Sequence, residues 1–119
     1  MRRRLLAAAA ALIIAAAAAG EAGAHAFLER ASPAVGSTVA SVSEIRLWFT
    51  ESIEPRFSRV QLANASGQRI GAGAAAVVGG SQLVLRVPRL APGTYRVTWS
   101  VVSVDTHKTE GSFTFEIRP

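Results

Sequence analysis

From Glu44 onward, large apolar side chains recur at every second position in five separate stretches. Ile45, Leu47 and Phe49 do so in EIRLWFTE, Val60 and Leu62 in RVQLAN, and Leu83, Leu85 and Val87 in LVLRVP. Tyr95, Val97, Trp99 and Val101 continue the pattern in TYRVTWSV, and Phe113, Phe115 and Ile117 close it in SFTFEI. A period of two sends alternate side chains to opposite faces, so each stretch predicts a strand with one face on a core.

Turn-forming residues separate the stretches. Pro33 with Gly36, Asn64 to Gly67, Gly79-Gly80 and Pro92-Gly93 supply the backbone angles that reversals need, and Pro92-Gly93 suits the centre of a type II turn. No useful helical period follows residue 24. The pattern predicts an all-β sandwich or Greek-key barrel of about seven strands. GAGAAAVVGG, residues 71 to 80, is glycine-rich but lacks the strand-to-helix setting and the following Lys and Ser/Thr of a phosphate loop. A connection or short edge strand is expected there.

The start of the chain has a different character. Arg2 to Arg4 precede an unbroken run of Leu, Ile and Ala from Leu5 to Ala19, and small residues follow. This is the layout of a secretory signal peptide, and the run falls short of the roughly 20 residues a spanning helix prefers. Two cuts satisfy the small-residue rule, one after Ala24 and one after Ala26. We expect residues 1–24 to be a signal peptide and 25–119 a single exported domain that touches the membrane only during export.

Removing that segment lowers the excess of basic over acidic residues from five to three, because it holds three arginines and Glu21. The remaining arginines are scattered, without the basic, aromatic-interleaved stripe that nucleic-acid binding needs. There is no cysteine, which excludes thiolate chemistry, and no methionine beyond Met1, which removes soft sulfur ligands for Cu(I).

Reactive side chains after residue 24 are few: His25, His107, one aspartate, Asp105, and six glutamates. No serine stands in a nucleophile-elbow setting that His107 could serve, and Glu51 with Glu54 read as strand-end acids rather than a glycosidase pair. In Asp105-Thr106-His107 an extended chain would bring carboxylate and imidazole to one side, a pair suited to Cu(II) or Zn(II). A cut after Ala24 adds the α-amine of His25, which chelates through a six-membered ring with Nδ1. Amine, His25, His107 and Asp105 make a four-donor nitrogen and oxygen set that favours Cu(II).

HAFLERASPAVGSTV, IRLWFTESIEPRFSRVQL, APGTYRVTWSVVSVDTH and GSFTFEI together resemble the CopC family of periplasmic copper-binding proteins, over nearly all of residues 25 to 117. The resemblance implies a cupredoxin-like or immunoglobulin-like Greek-key barrel that binds one Cu(II) per chain through His25, Asp105 and His107. It also implies that Glu51 lies beside the copper and hydrogen-bonds to His25. Ser52 replaces the proline usual after that acid, and Thr106 replaces the glycine usual between the Asp and His ligands. A Cu(II)-only, monomeric, periplasmic carrier or resistance protein is expected, not an enzyme, with a CopD-like inner-membrane copper transporter as partner. The alternatives are an oxidative enzyme with a histidine brace, as in lytic polysaccharide monooxygenases, and a metal-free interaction module.

Overall fold

The computed structural model describes residues 25–119; the expected signal peptide and its cut after Ala24 lie outside the described residues. The chain forms, in order, β1 (Leu28–Ser32), β2 (Thr38–Val39), β3 (Glu44–Phe49), a single 3-10 turn (Pro55–Phe57), β4 (Arg59–Asn64), β5 (Ala76–Val78), β6 (Gln82–Arg86), β7 (Gly93–Val102) and β8 (Lys108–Ile117). These make two four-stranded sheets, β1-β3-β6-β5 and β2-β8-β7-β4. Every pairing is antiparallel except β2 with β8. The expected all-β sandwich is therefore correct.

The alternating residues become the core. Ile45, Leu47, Phe49, Val60, Leu62, Leu83, Leu85, Tyr95, Val97, Trp99, Val101, Phe113, Phe115 and Ile117 are all buried, as the period of two requires. Val87 is only partly buried, because β6 ends one residue before it. Burying apolar surface from both inner faces is what holds the sheets together. Phe49 meets Trp99 edge-on across the sheets, with ring centroids 5.2 Å apart. The Tyr95 hydroxyl donates to the Ala91 carbonyl at 2.6 Å, the corner-closing bond of Greek-key sandwiches.

Two turns refine the sequence reading. Residues 76 to 78 within the glycine-rich segment form the edge strand β5, and Gly79 and Gly80 both take positive φ in the hairpin that follows. Pro92-Gly93 does not form the expected type II turn. Gly93 has φ 150, well beyond the value of about +80 that such a turn needs, because it already pairs with Ile117 as the first residue of β7.

Candidate metal centre

One end of the sandwich gathers the start of the described chain, the end of β3 and the β7–β8 loop. His25, Ala26 and Phe27 are fastened there by backbone and hydroxyl groups. The Phe27 N–H donates to Thr50 Oγ1 at 2.9 Å, and the Thr50 N–H returns a bond to the Phe27 carbonyl at 2.9 Å. The Thr50 hydroxyl also approaches the His25 carbonyl at 3.4 Å. Thr109, on β8, donates its hydroxyl to the Ala26 carbonyl at 2.6 Å. The Ala26 methyl is fully buried in the core, so the segment is plugged as well as tied.

The opposite half of the site is the loop Ser103 to His107. It closes through Ser103 N–H to the His107 carbonyl and Thr106 N–H to the Ser103 carbonyl, both at 2.9 Å. Asp105 and His107 do converge, but not on an extended strand as the sequence reading assumed. The chain turns, and Thr106 occupies the left-handed region at φ 73, which directs the Asp105 Oδ2 to 3.2 Å from His107 Nδ1. A β-branched residue is strained there, and this is the position where the resemblance led us to expect glycine.

Ser103 organises this loop. It is the one buried polar side chain among the described residues, and its hydroxyl donates to Asp105 Oδ1 while accepting the His107 N–H at 3.3 Å. The hydrogen bond from Ser103 is the main cause holding the Asp105 carboxyl below its ordinary value. Desolvation opposes it, and His107 reinforces it through hydrogen bonds and charge.

The two halves meet at the imidazoles. The rings of His25 and His107 stand edge-to-face with centroids 4.5 Å apart, and the Phe27 ring flanks His25 at 5.9 Å. That centroid separation is short enough for two imidazoles to share one ion with metal–nitrogen bonds of about 2.0–2.1 Å. An Nδ1–H of His107 given to Asp105 leaves Nε2 as its free lone pair, the usual way a carboxylate fixes a metal-binding imidazole. Both His107 and Asp105 keep roughly half their side-chain surface open, 50% and 40%.

Among the described residues, no three His, Asp or Glu side chains converge tightly enough to cage an ion by themselves. A single-ion site built on the His pair therefore calls for a further donor. Glu51 is exposed and makes no hydrogen bond or ion pair with His25 among the described residues. Its segment is nonetheless fixed without proline: the Val104 N–H donates to the Ser52 carbonyl at 3.1 Å, and the Ile53 N–H to the Gly80 carbonyl at 2.9 Å.

The CopC domain model matches residues 28–118. The chain belongs to the CopC family. Copper resistance protein C of Xanthomonas campestris pv. juglandis is 34% identical over 103 residues, covering 80% of this chain and 81% of that protein. Protein YobA of Escherichia coli strain K12 is 38% identical over 99 residues, covering 80% of each. Among solved structures, CopC from Methylosinus trichosporium OB3b aligns with a TM-score of 0.75 at 33% identity, over 80% of this chain and 95% of its own. PcoC, a methionine-rich copper resistance protein from Escherichia coli, gives 0.74 at 33% identity, over 80% of this chain and all of its own.

As a CopC-family chain, this is a copper-handling protein, and its one methionine, Met1, sets it apart from the methionine-rich PcoC. Sequence reasoning named His25, His107 and Asp105 but missed Thr50, Ser103 and Thr109. A signal for Thr109 existed. Its parity matches Phe113 and Phe115 on β8, and a hydroxyl on a core-facing row must find a partner.

Proposed function

We propose that the exported chain is a periplasmic carrier or sequestering protein that binds one Cu(II) through the His25 amine and imidazole, His107 and Asp105. The observation that carries this reading is the 4.5 Å approach of the only two histidines in the protein, at a segment that cleavage after Ala24 would turn into a free terminus. Unperturbed, the amine has a pKa of about 8, so binding near neutrality displaces a proton, which Cu(II) does best among the common divalent ions. Before cleavage the nitrogen of His25 is an amide, and the donor set is incomplete. Copper capture thus begins only after export.

An enzymatic role fits less well. A His amine chelate with a second His is also the brace of copper monooxygenases, but oxygen chemistry wants an open position, and on this reading Asp105, turned from His107 Nδ1 toward the ion, would fill it. The protein is read as a monomer that exchanges copper with a CopD-like inner-membrane transporter, with Glu51 at the edge of the site. No nucleic acid is involved.

Intact mass of the exported protein, with and without one equivalent of Cu(II), tests the reading. A chain starting at His25 that gains a single copper supports it. A chain starting at Phe27, or one that takes up no copper, removes it. Adding one residue before His25 should weaken Cu(II) binding by orders of magnitude, because the amine moves out of reach of the chelate.

A further inference from the structure

We infer that Thr109 is a positioning residue of this copper site, a step that rests on the reading of His25 and His107 as ligands. The His25 side of the site hangs from the first sheet through Thr50, at the end of β3. The His107 side belongs to the second sheet, immediately before β8 begins at Lys108. Backbone bonds already join the sheets at this end, Glu54 N–H to the Val102 carbonyl at 2.8 Å and Val104 N–H to the Ser52 carbonyl at 3.1 Å, so what remains is the tie on residues 25–27 themselves. Among the described residues, the one side-chain hydrogen bond between residues 25–27 and the second sheet is Thr109 Oγ1 to the Ala26 carbonyl.

Its position in the chain makes the bond a gauge. Ala26 follows His25 by one residue, and Thr109 follows His107 by two, so a single 2.6 Å contact ties the backbones that carry the two imidazoles. The hydroxyl is partly buried, where a carbonyl left without a donor is costly. Because Ala26 is fully buried, the segment has little freedom to slide in compensation. Thr109 thereby holds the imidazoles at their spacing before any ion arrives, which is how supporting groups raise metal affinity. The role differs from that of Ser103, which orders the loop on the His107 side alone.

The test uses the mature chain and four proteins: wild type, Thr109→Val, Thr109→Ser and Leu62→Val. Valine keeps the shape but loses the donor, serine keeps the donor, and Leu62→Val loosens the core away from the site. Cu(II) affinity is measured by competition with a chromophoric chelator, and donor geometry by electron paramagnetic resonance. Thr109→Val should weaken Cu(II) binding about 10–100-fold, the usual cost of losing a supporting contact, and change the copper spectrum. Thr109→Ser and Leu62→Val should keep the wild-type spectrum and bind within a few-fold of wild type. Wild-type affinity and spectrum in Thr109→Val, or a serine variant that behaves like valine, overturns the assignment. Equal weakening in Leu62→Val reduces it to general stability and overturns it too. A wild-type chain that binds no Cu(II) overturns the copper reading first, and that result is distinct from an unaffected valine variant.

Discussion

The Asp105 carboxylate reaches the His107 ring across one intervening residue, Oδ2 to Nδ1 at 3.2 Å, because Thr106 turns the backbone through φ 73. The contact is produced by a residue poorly suited to its conformation. A non-glycine residue in the left-handed region costs about 1–2 kcal/mol, and glycine gives back about 0.5–1 kcal/mol in lost chain entropy. Thr106→Gly should therefore stabilise the metal-free protein by about 0.5–1 kcal/mol, measured by urea unfolding. Cu(II) binding should persist. A lower unfolding midpoint in the glycine variant would mean that the threonine side chain makes a contribution larger than its strain.

Ser103 sets both the position and the ionisation of Asp105. Its hydrogen bond lowers the folded pKa of Asp105 below the ordinary 3.8. The sign follows from linkage: the contribution to stability is present above the unfolded value and is lost as pH falls through the lower folded one. Ser103→Ala should raise the Asp105 pKa toward 3.8, read by carboxyl-carbon NMR titration, and should destabilise the protein more at pH 7 than at pH 2. An Asp105 titration that does not move would show that His107, not Ser103, holds the carboxylate charged.

Gly111 sits directly opposite Trp99 in the β7–β8 pairing, and a Cβ there would fall 2.7 Å from Trp99 Cζ2 and 3.0 Å from Cε2. The atoms in the way belong to a rigid indole that packs on Phe49. Gly111→Ala should cost about 1–3 kcal/mol through overpacking. Guanidinium unfolding followed by tryptophan emission measures both the loss and the displaced ring. A neutral variant would show that the indole can shift without penalty.

Legibility from sequence followed the physics of each element. The long inner strands were readable because a buried face forces strict alternation, as in Tyr95 to Val101. β1, an edge strand whose LERAS has no alternating large apolar residues, and β2, with only two residues, were not. His25 and His107 could be paired by scarcity: the chain has no other histidine. The geometry of Asp105 was misjudged because an unusual backbone angle at Thr106, rather than strand pleat, creates the contact. Thr109 showed its core-facing parity but not its link to the site, because threonine is common in strands and its partner is a main-chain carbonyl 83 residues away.

Asp105→Asn separates the two services the carboxylate can perform. The asparagine amide oxygen can still accept from His107 Nδ1, so the ring orientation that leaves Nε2 free is retained. What is lost is the negative charge and the second oxygen, which accepts from the Ser103 hydroxyl. If Asp105 merely orients His107, the variant should bind Cu(II) almost as wild type does. We expect instead a loss of about 10–100-fold, comparable to other lost metal contacts, because a neutral amide is a weaker donor than a carboxylate to a divalent cation. Chelator competition at pH 7 measures the difference. His107→Ala provides the scale: it deletes a nitrogen donor and should weaken binding further than Asp105→Asn. Near-wild-type affinity in the asparagine variant would reassign Asp105 from copper ligand to support of His107.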